Sequence, residues 1–123
     1  MSTPRISSET GRTYEYKRAT IANGTALSNV IHVANRMPLG LHVPTWGASA
    51  AISFKVGHTR DSLLDLYTAA GVEVVIPAGT HNKAYAAPLE LVGWAYVQVR
   101  SGVTATPVNQ ADDNDYVDFV MSD

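Results

Sequence analysis

Hydrophobic and polar positions alternate with a period of two through most of this chain. The clearest case is residues 50–56, where Ile52, Phe54 and Val56 fall on one face and Ser53 and Lys55 on the other. Residues 94–100 repeat it, with Ala95, Val97 and Val99 opposed to Trp94, Tyr96, Gln98 and Arg100. This second stretch reads as the central strand, followed by an exit loop. Further strands are predicted over 14–22, 27–34, 72–76, 83–87 and 116–121. In the last of these Val117, Phe119 and Met121 take the core face. Residues 37–44 form a short strand between Pro38 and Pro44, a pattern that suits an edge or a strand end. Residues 63–68 have some helical propensity, but the β-branched run after them favours a strand. Residues 88–93 allow one helical turn.

Turn signals separate these runs. Asn23-Gly24 suits a turn, because both residues tolerate positive φ. Gly57-His58-Thr59-Arg60-Asp61, Ala69-Ala70-Gly71 and Ser101-Gly102 mark others. Roughly eight or nine short strands without a sustained 3.6-residue period predict an all-β fold. The expected architecture is a two-sheet β-sandwich of jelly-roll or Greek-key type. Its predicted core is Ile52, Phe54, Leu64, Leu66, Val74, Ile76, Val97, Val99, Val117 and Phe119. Residues 1–13 lack periodicity and read as a flexible, extended N-terminal arm, with 14–123 as a single domain.

Composition narrows the function class. At 123 residues one domain is expected. Charged residues make up 16%, against about 25% in an average globular chain. No apolar run approaches the ~18 residues of a spanning helix, so no membrane partner is expected. The polar start contains no apolar h-region, so no secretory signal is expected and cytosolic synthesis is the expectation. The absence of cysteine removes disulfides, thiolate metal sites and thiol catalysis. A net charge of −2 gives no general reason to bind nucleic acid. Charge is nonetheless segregated. Arg5, Arg12, Lys17 and Arg18 face only Glu9 and Glu15 near the start, whereas Asp112, Asp113, Asp115, Asp118 and Asp123 crowd the end. This polarity suits contacts between neighbours in an assembly, or simply two solvated termini.

Candidate chemistry is sparse. His32, His42, His58 and His81 share no short ligand spacing, and no metal site is expected. Asp112-Asp113-Asn114-Asp115 begins like a calcium loop but lacks the Gly and Glu that complete one. There is no GxSxG, SxxK, HExxH, GxGxxG or P-loop pattern, so neither catalysis nor a cofactor is expected. Trp46, Trp94, Tyr96 and Tyr16 suggest either an aromatic sugar-binding platform or rings that close the core and interfaces. Arg100, at a strand end, suits either a partner carboxylate or a structural role, pairing with an Asp of the last strand or donating to the carbonyls of the 107–110 loop.

Several segments taken in order resemble a family of small virion structural proteins of tailed bacteriophages. These are Thr20-Ile21-Ala22-Asn23-Gly24, Leu41-His42-Val43-Pro44-Thr45-Trp46, Ala50-Ala51-Ile52-Ser53-Phe54, Asp65-Leu66-Tyr67 with Ala70-Gly71, Val99-Arg100-Ser101-Gly102 and Pro107-Val108-Asn109-Gln110. The chain departs from the family pattern at 57–61 and at 112–115. The resemblance implies a β-sandwich subunit of the phage particle without enzymatic activity. Capsid decoration, or cement, is the first expectation, with the major capsid protein as partner and a homo-oligomer, dimer or trimer, on the virion surface. The alternatives are a neck, tail or fibre component, or a carbohydrate-binding β-sandwich for host attachment. The arm and first strand would face the partner, which makes Arg5, Arg12, Tyr14, Tyr16 and Arg18, together with Trp46, the candidate partner-binding residues.

Overall fold

The period-two pattern becomes an all-antiparallel β structure in the computed structural model, which describes residues 5–7, 13–34, 36–44, 46, 50–77, 82–111 and 115–122. Its strands are β1 (Arg5–Ser7), β2 (Thr13–Ile21), β3 (Leu27–His32), β4 (Met37–Val43), β5 (Ile52–Gly57), β6 (Leu64–Asp65), β7 (Val75–Ile76), β8 (Lys83–Ala86), β9 (Tyr96–Ser101) and β10 (Asp115–Ser122). A 3-10 turn spans Leu89–Leu91. The strands pair in the order β6-β5-β9-β3-β2-β10-β4-β8, with β1 added to β2 and β7 to β5.

This pairing is a sheet that curls into two layers. β2 and β3 meet through one register pair, Ile21↔Ser28, which is the fold line. On one side lie β1, β2, β10, β4 and β8; on the other lie β3, β9, β5, β6 and β7. The inward faces close on each other where Phe54 of β5 meets Phe119 of β10 edge-on, with centroids 6.4 Å apart. Ala19, Ile21, Ile31, Leu41, Val43, Ile52, Val97, Val99, Val117 and Met121 fill the layer between them. The expected β-sandwich is therefore the architecture, and β9 is central in its layer, between β3 and β5.

Four expectations are corrected by this arrangement. Leu64, placed in the core on pattern, lies on a two-residue edge strand and is 74% exposed. Of the two placements expected for 37–44, the strand end holds, with Pro38 second in β4 and Pro44 just past it, and the edge does not. β4 lies between β10 and β8, and a bulge opposite Val120/Met121 accommodates Pro38 and turns Leu39 outward. Part of the expected free arm is a strand: β1 pairs β2 through Arg5↔Glu15, Ile6↔Tyr14 and Ser7↔Thr13. Glu15, counted among the charges of a solvated segment, points inward, is buried and pairs with Arg36.

Candidate functional site

Three of the segments singled out in the sequence, those around 23–24, 51–53 and 101–110, meet at one corner. The Gly24 N–H donates to the Gln110 carbonyl at 2.7 Å, and the Gln110 N–H donates to the Thr25 carbonyl at 2.9 Å. The Gln110 side chain in turn donates to Ser101 Oγ at 2.8 Å. Gly102 holds the exit loop tight, with φ +92°. A Cβ there would meet the Thr106 carbonyl oxygen at 2.5 Å, so only glycine fits. Its N–H donates to the Ala51 carbonyl, and its own carbonyl accepts from Ser53 Oγ at 2.8 Å. The turn at 23–24, the strand β5 and the loop 101–110 are thus fastened together through buried polar groups.

Arg100 anchors the same corner. It is buried on the outer side of β9, between β6 and the exit loop. Its guanidinium pairs with Asp65 and lies 3.5 Å from Glu73 Oε2. It also donates to Thr104 Oγ1 at 2.8 Å and Ser53 Oγ at 3.3 Å. Glu73 completes the cluster by accepting from the Thr104 N–H and hydroxyl at 3.1 and 2.7 Å. The structural alternative for Arg100 holds, but its partners are Asp65 and Glu73 rather than an Asp of the last strand. A planar donor surrounded by acceptors on three segments ties the β6 edge to the exit loop.

Among the predicted partner-binding residues whose side chains are described, Tyr16 and Arg18 share β2 and Trp46 lies apart from them in the core. Arg18 lies on the outer face of β2, where Nε donates to Asp118 Oδ1 at 2.8 Å and Nη2 to Oδ2 at 3.1 Å. Its guanidinium also stacks over the Tyr116 ring, 3.8 Å from the centroid. The hydrogen bond to Asp118 holds the Arg18 pKa above its ordinary value, against an opposing desolvation penalty. His42 Nδ1 flanks the same carboxylate from β4 at 3.9 Å. Tyr16 is half-buried on the same strand as Arg18. Arg5 and Tyr14 are placed by backbone pairing in β1 and β2, and Arg12 lies outside the described residues. Trp46 is corrected outright as a stacking group: its ring belongs to the core cluster and is 3% exposed.

The aromatic platform is dispersed accordingly. Tyr96 sits on the outer face of β9, between the His32 ring at 4.9 Å and the Arg60 guanidinium at 5.3 Å. Trp94 lies just before β9, half-buried, with its indole N–H donating to the Glu90 carbonyl at 3.1 Å. The His58 ring leans on it at 5.3 Å.

Beside Trp94 opens a cleft of about 420 Å³. Val56 and Leu66 form buried lining; Leu64 and Tyr67 stand exposed at its margin; Thr59, Ser62 and Asp65 supply polar groups. Sequence reading singled out Trp94 but missed the cleft. Its remaining wall comes from the 58–67 connection, whose path no local pattern specifies. Among the described residues, no three His, Asp or Glu side chains converge as ligands for a cation. His81 and residues 112–114 lie outside those residues.

No family model and no curated protein matches the chain. Among solved structures, it is similar to "CBM32 of AlyQ in complex with 4,5-unsaturated mannuronic acid", with a TM-score of 0.38 and 10% sequence identity over 100% of this chain and 94% of that one.

Proposed function

We propose that this chain is a non-catalytic structural subunit of a tailed-phage particle, a capsid decoration protein that binds and stabilises the lattice of the major capsid protein. The observation that carries this reading is the division of labour between buried and exposed groups. The clustered polar side chains of the β9 corner are engaged in fastening the fold, whereas large apolar side chains are left facing outward. Leu64 and Val72, beside the β6 edge, are 74% and 62% exposed, and Leu89 on the 3-10 turn is 83% exposed. Exposed apolar side chains in this number suit contact with protein surfaces rather than turnover of a substrate. The ordered segments that resemble the virion family support the same reading, and three of them, around 23–24, 51–53 and 101–110, lock the corner. A homo-oligomer would multiply weak contacts across a repeated shell.

Co-sedimentation with undecorated shells of the major capsid protein encoded by the same phage tests this reading. Saturable binding at a fixed ratio to the capsid subunit, lost in a Leu64→Glu/Val72→Glu variant of unchanged Tm, is the expected result. No binding at high excess would move the protein to a neck, tail or fibre position.

One observation favours a second reading, a carbohydrate-binding β-sandwich used for host attachment. The Trp94 cleft combines an accessible indole with hydroxyl, imidazole and carboxylate groups in a volume suited to a small ligand. A glycan screen in which Trp94→Ala abolishes binding and Trp46→Ala does so only by unfolding the chain would support it.

A further inference from the structure

The Trp94 cleft has a chemistry specific enough to say which sugars it takes. We infer that it is a subsite for a neutral hexose ring with vicinal hydroxyls and that it discriminates against acidic sugars. This inference rests on the second, carbohydrate-binding reading and names its ligand class.

The apolar wall comes first. A sugar ring has one face of C–H groups that packs on an aromatic surface, and Trp94 offers such a surface at the cleft margin. The indole is already held: its N–H donates to the Glu90 carbonyl, the tilted His58 ring leans on it and it packs against the core, which leaves only its cleft-lining part for a ligand. A ligand therefore orders little when it stacks there, which removes a common cost of binding. Leu64 and Tyr67 extend the apolar margin.

The carboxylate among the lining residues is Asp65. It is half-buried, and its Oδ1 is engaged by the buried Arg100 guanidinium. Arg100 is itself fixed by Thr104, Ser53 and Glu73, so the carboxylate is immobilised from behind. An ionised carboxylate only accepts hydrogen bonds and has several lone-pair sites for donors. A pair of adjacent sugar hydroxyls supplies two donors at the spacing of its two oxygens. Thr59 and Ser62 add hydroxyls that donate or accept.

Charge sets the selectivity. Asp65 is the one formally anionic lining residue, and no Lys or Arg lines the cleft among the described residues. Arg100 is committed to the acidic cluster behind it. A uronic acid would bring a second carboxylate beside Asp65 with no Lys or Arg to receive it, only the His58 imidazole and the Thr59 and Ser62 hydroxyls, whereas a neutral ring adds no charge to that lining and meets the same polar groups and an aromatic surface.

The test is an NMR titration of the full chain that follows the Trp94 indole N–H. The probes are the methyl glycosides of glucose, galactose and mannose, and those of glucuronic and galacturonic acid. At least one neutral glycoside should shift the resonance saturably, and each uronide should bind at least about tenfold more weakly than its neutral counterpart. Trp94→Ala should remove neutral-sugar binding, read by calorimetry, at a temperature where the variant's recorded Tm shows it still folded. Asp65→Asn should narrow the gap between neutral and acidic sugars. Because that variant also touches Arg100, its Tm is recorded and Trp94→Ala carries the result alone if Asp65→Asn unfolds. Uronides binding as tightly as neutral glycosides, or neutral binding that survives Trp94→Ala, would overturn the inference while the carbohydrate-binding reading stands. Silence from glycosides of both kinds would overturn both.

Discussion

Arg100 and Asp65 lie 35 residues apart in sequence and form an ion pair on the outer side of β9. The pair joins a central strand to the two-residue edge strand β6, which has few backbone hydrogen bonds of its own. Glu73 and Thr104 extend it to the exit loop. Removing the cation leaves Asp65 without its guanidinium donor and Glu73 without its counter-charge in a partly desolvated setting. Arg100→Met should therefore cost about 3–5 kcal/mol in urea denaturation. Adding Asp65→Leu and Glu73→Leu should recover much of that loss. A single substitution costing under about 1 kcal/mol, as an exposed pair would, contradicts the clamp.

Gly102 offers an independent test of the same corner. Alanine there combines a left-handed φ with contacts at 2.5 Å to the Thr106 carbonyl and 2.8 Å to the Val108 nitrogen. Strain of this kind costs about 1–3 kcal/mol, and the steric overlap adds to it. Gly24, at φ +82° but with open space around its Cβ position, should lose less on the same substitution. Equal losses at the two sites would remove the packing argument.

The two tryptophans should separate cleanly. Trp46→Ala empties a core position and should cost about 3–5 kcal/mol. Trp94→Ala, at a half-buried margin, should cost clearly less in the same assay. Similar losses would place both rings in the core.

Arg18 provides a contrasting surface pair. Its folded pKa is raised by Asp118, so the folded chain holds that proton more tightly than the unfolded chain. The contribution is fully present below the ordinary arginine pKa and is lost only as pH rises through the folded value. Near neutrality this group imposes no pH dependence. The Arg18 side chain is 46% exposed, so solvent screening limits the pair to about 1 kcal/mol or less. Arg18→Ala should show a small loss in denaturation that shrinks further in high salt. A loss of several kcal/mol would mean that the pair is coupled to the core.

Strands with a strict period of two were legible from sequence: β5, β9 and β10 bury the residues the alternation selects. Where another device overrides the period, the pattern misleads. Leu64 belongs to an edge strand too short to have a covered face. Leu39 is turned outward by the bulge at Pro38. Arg100 occupies a polar position of the alternation and yet is buried, because Asp65 and Glu73 arrive from a distant hairpin. For the same reason the Trp94 cleft had no local signature. Half of it is built by a connection whose course depends on the closed sandwich.

The central claim is tested most directly by quantitative mass spectrometry of purified phage particles, counting copies of this chain against the major capsid protein. A fixed ratio matching a repeated lattice position, retained through gradient purification of tail-free heads, is the predicted result. Absence from the particle, or a copy number fitting a single neck or tail ring, would contradict capsid decoration.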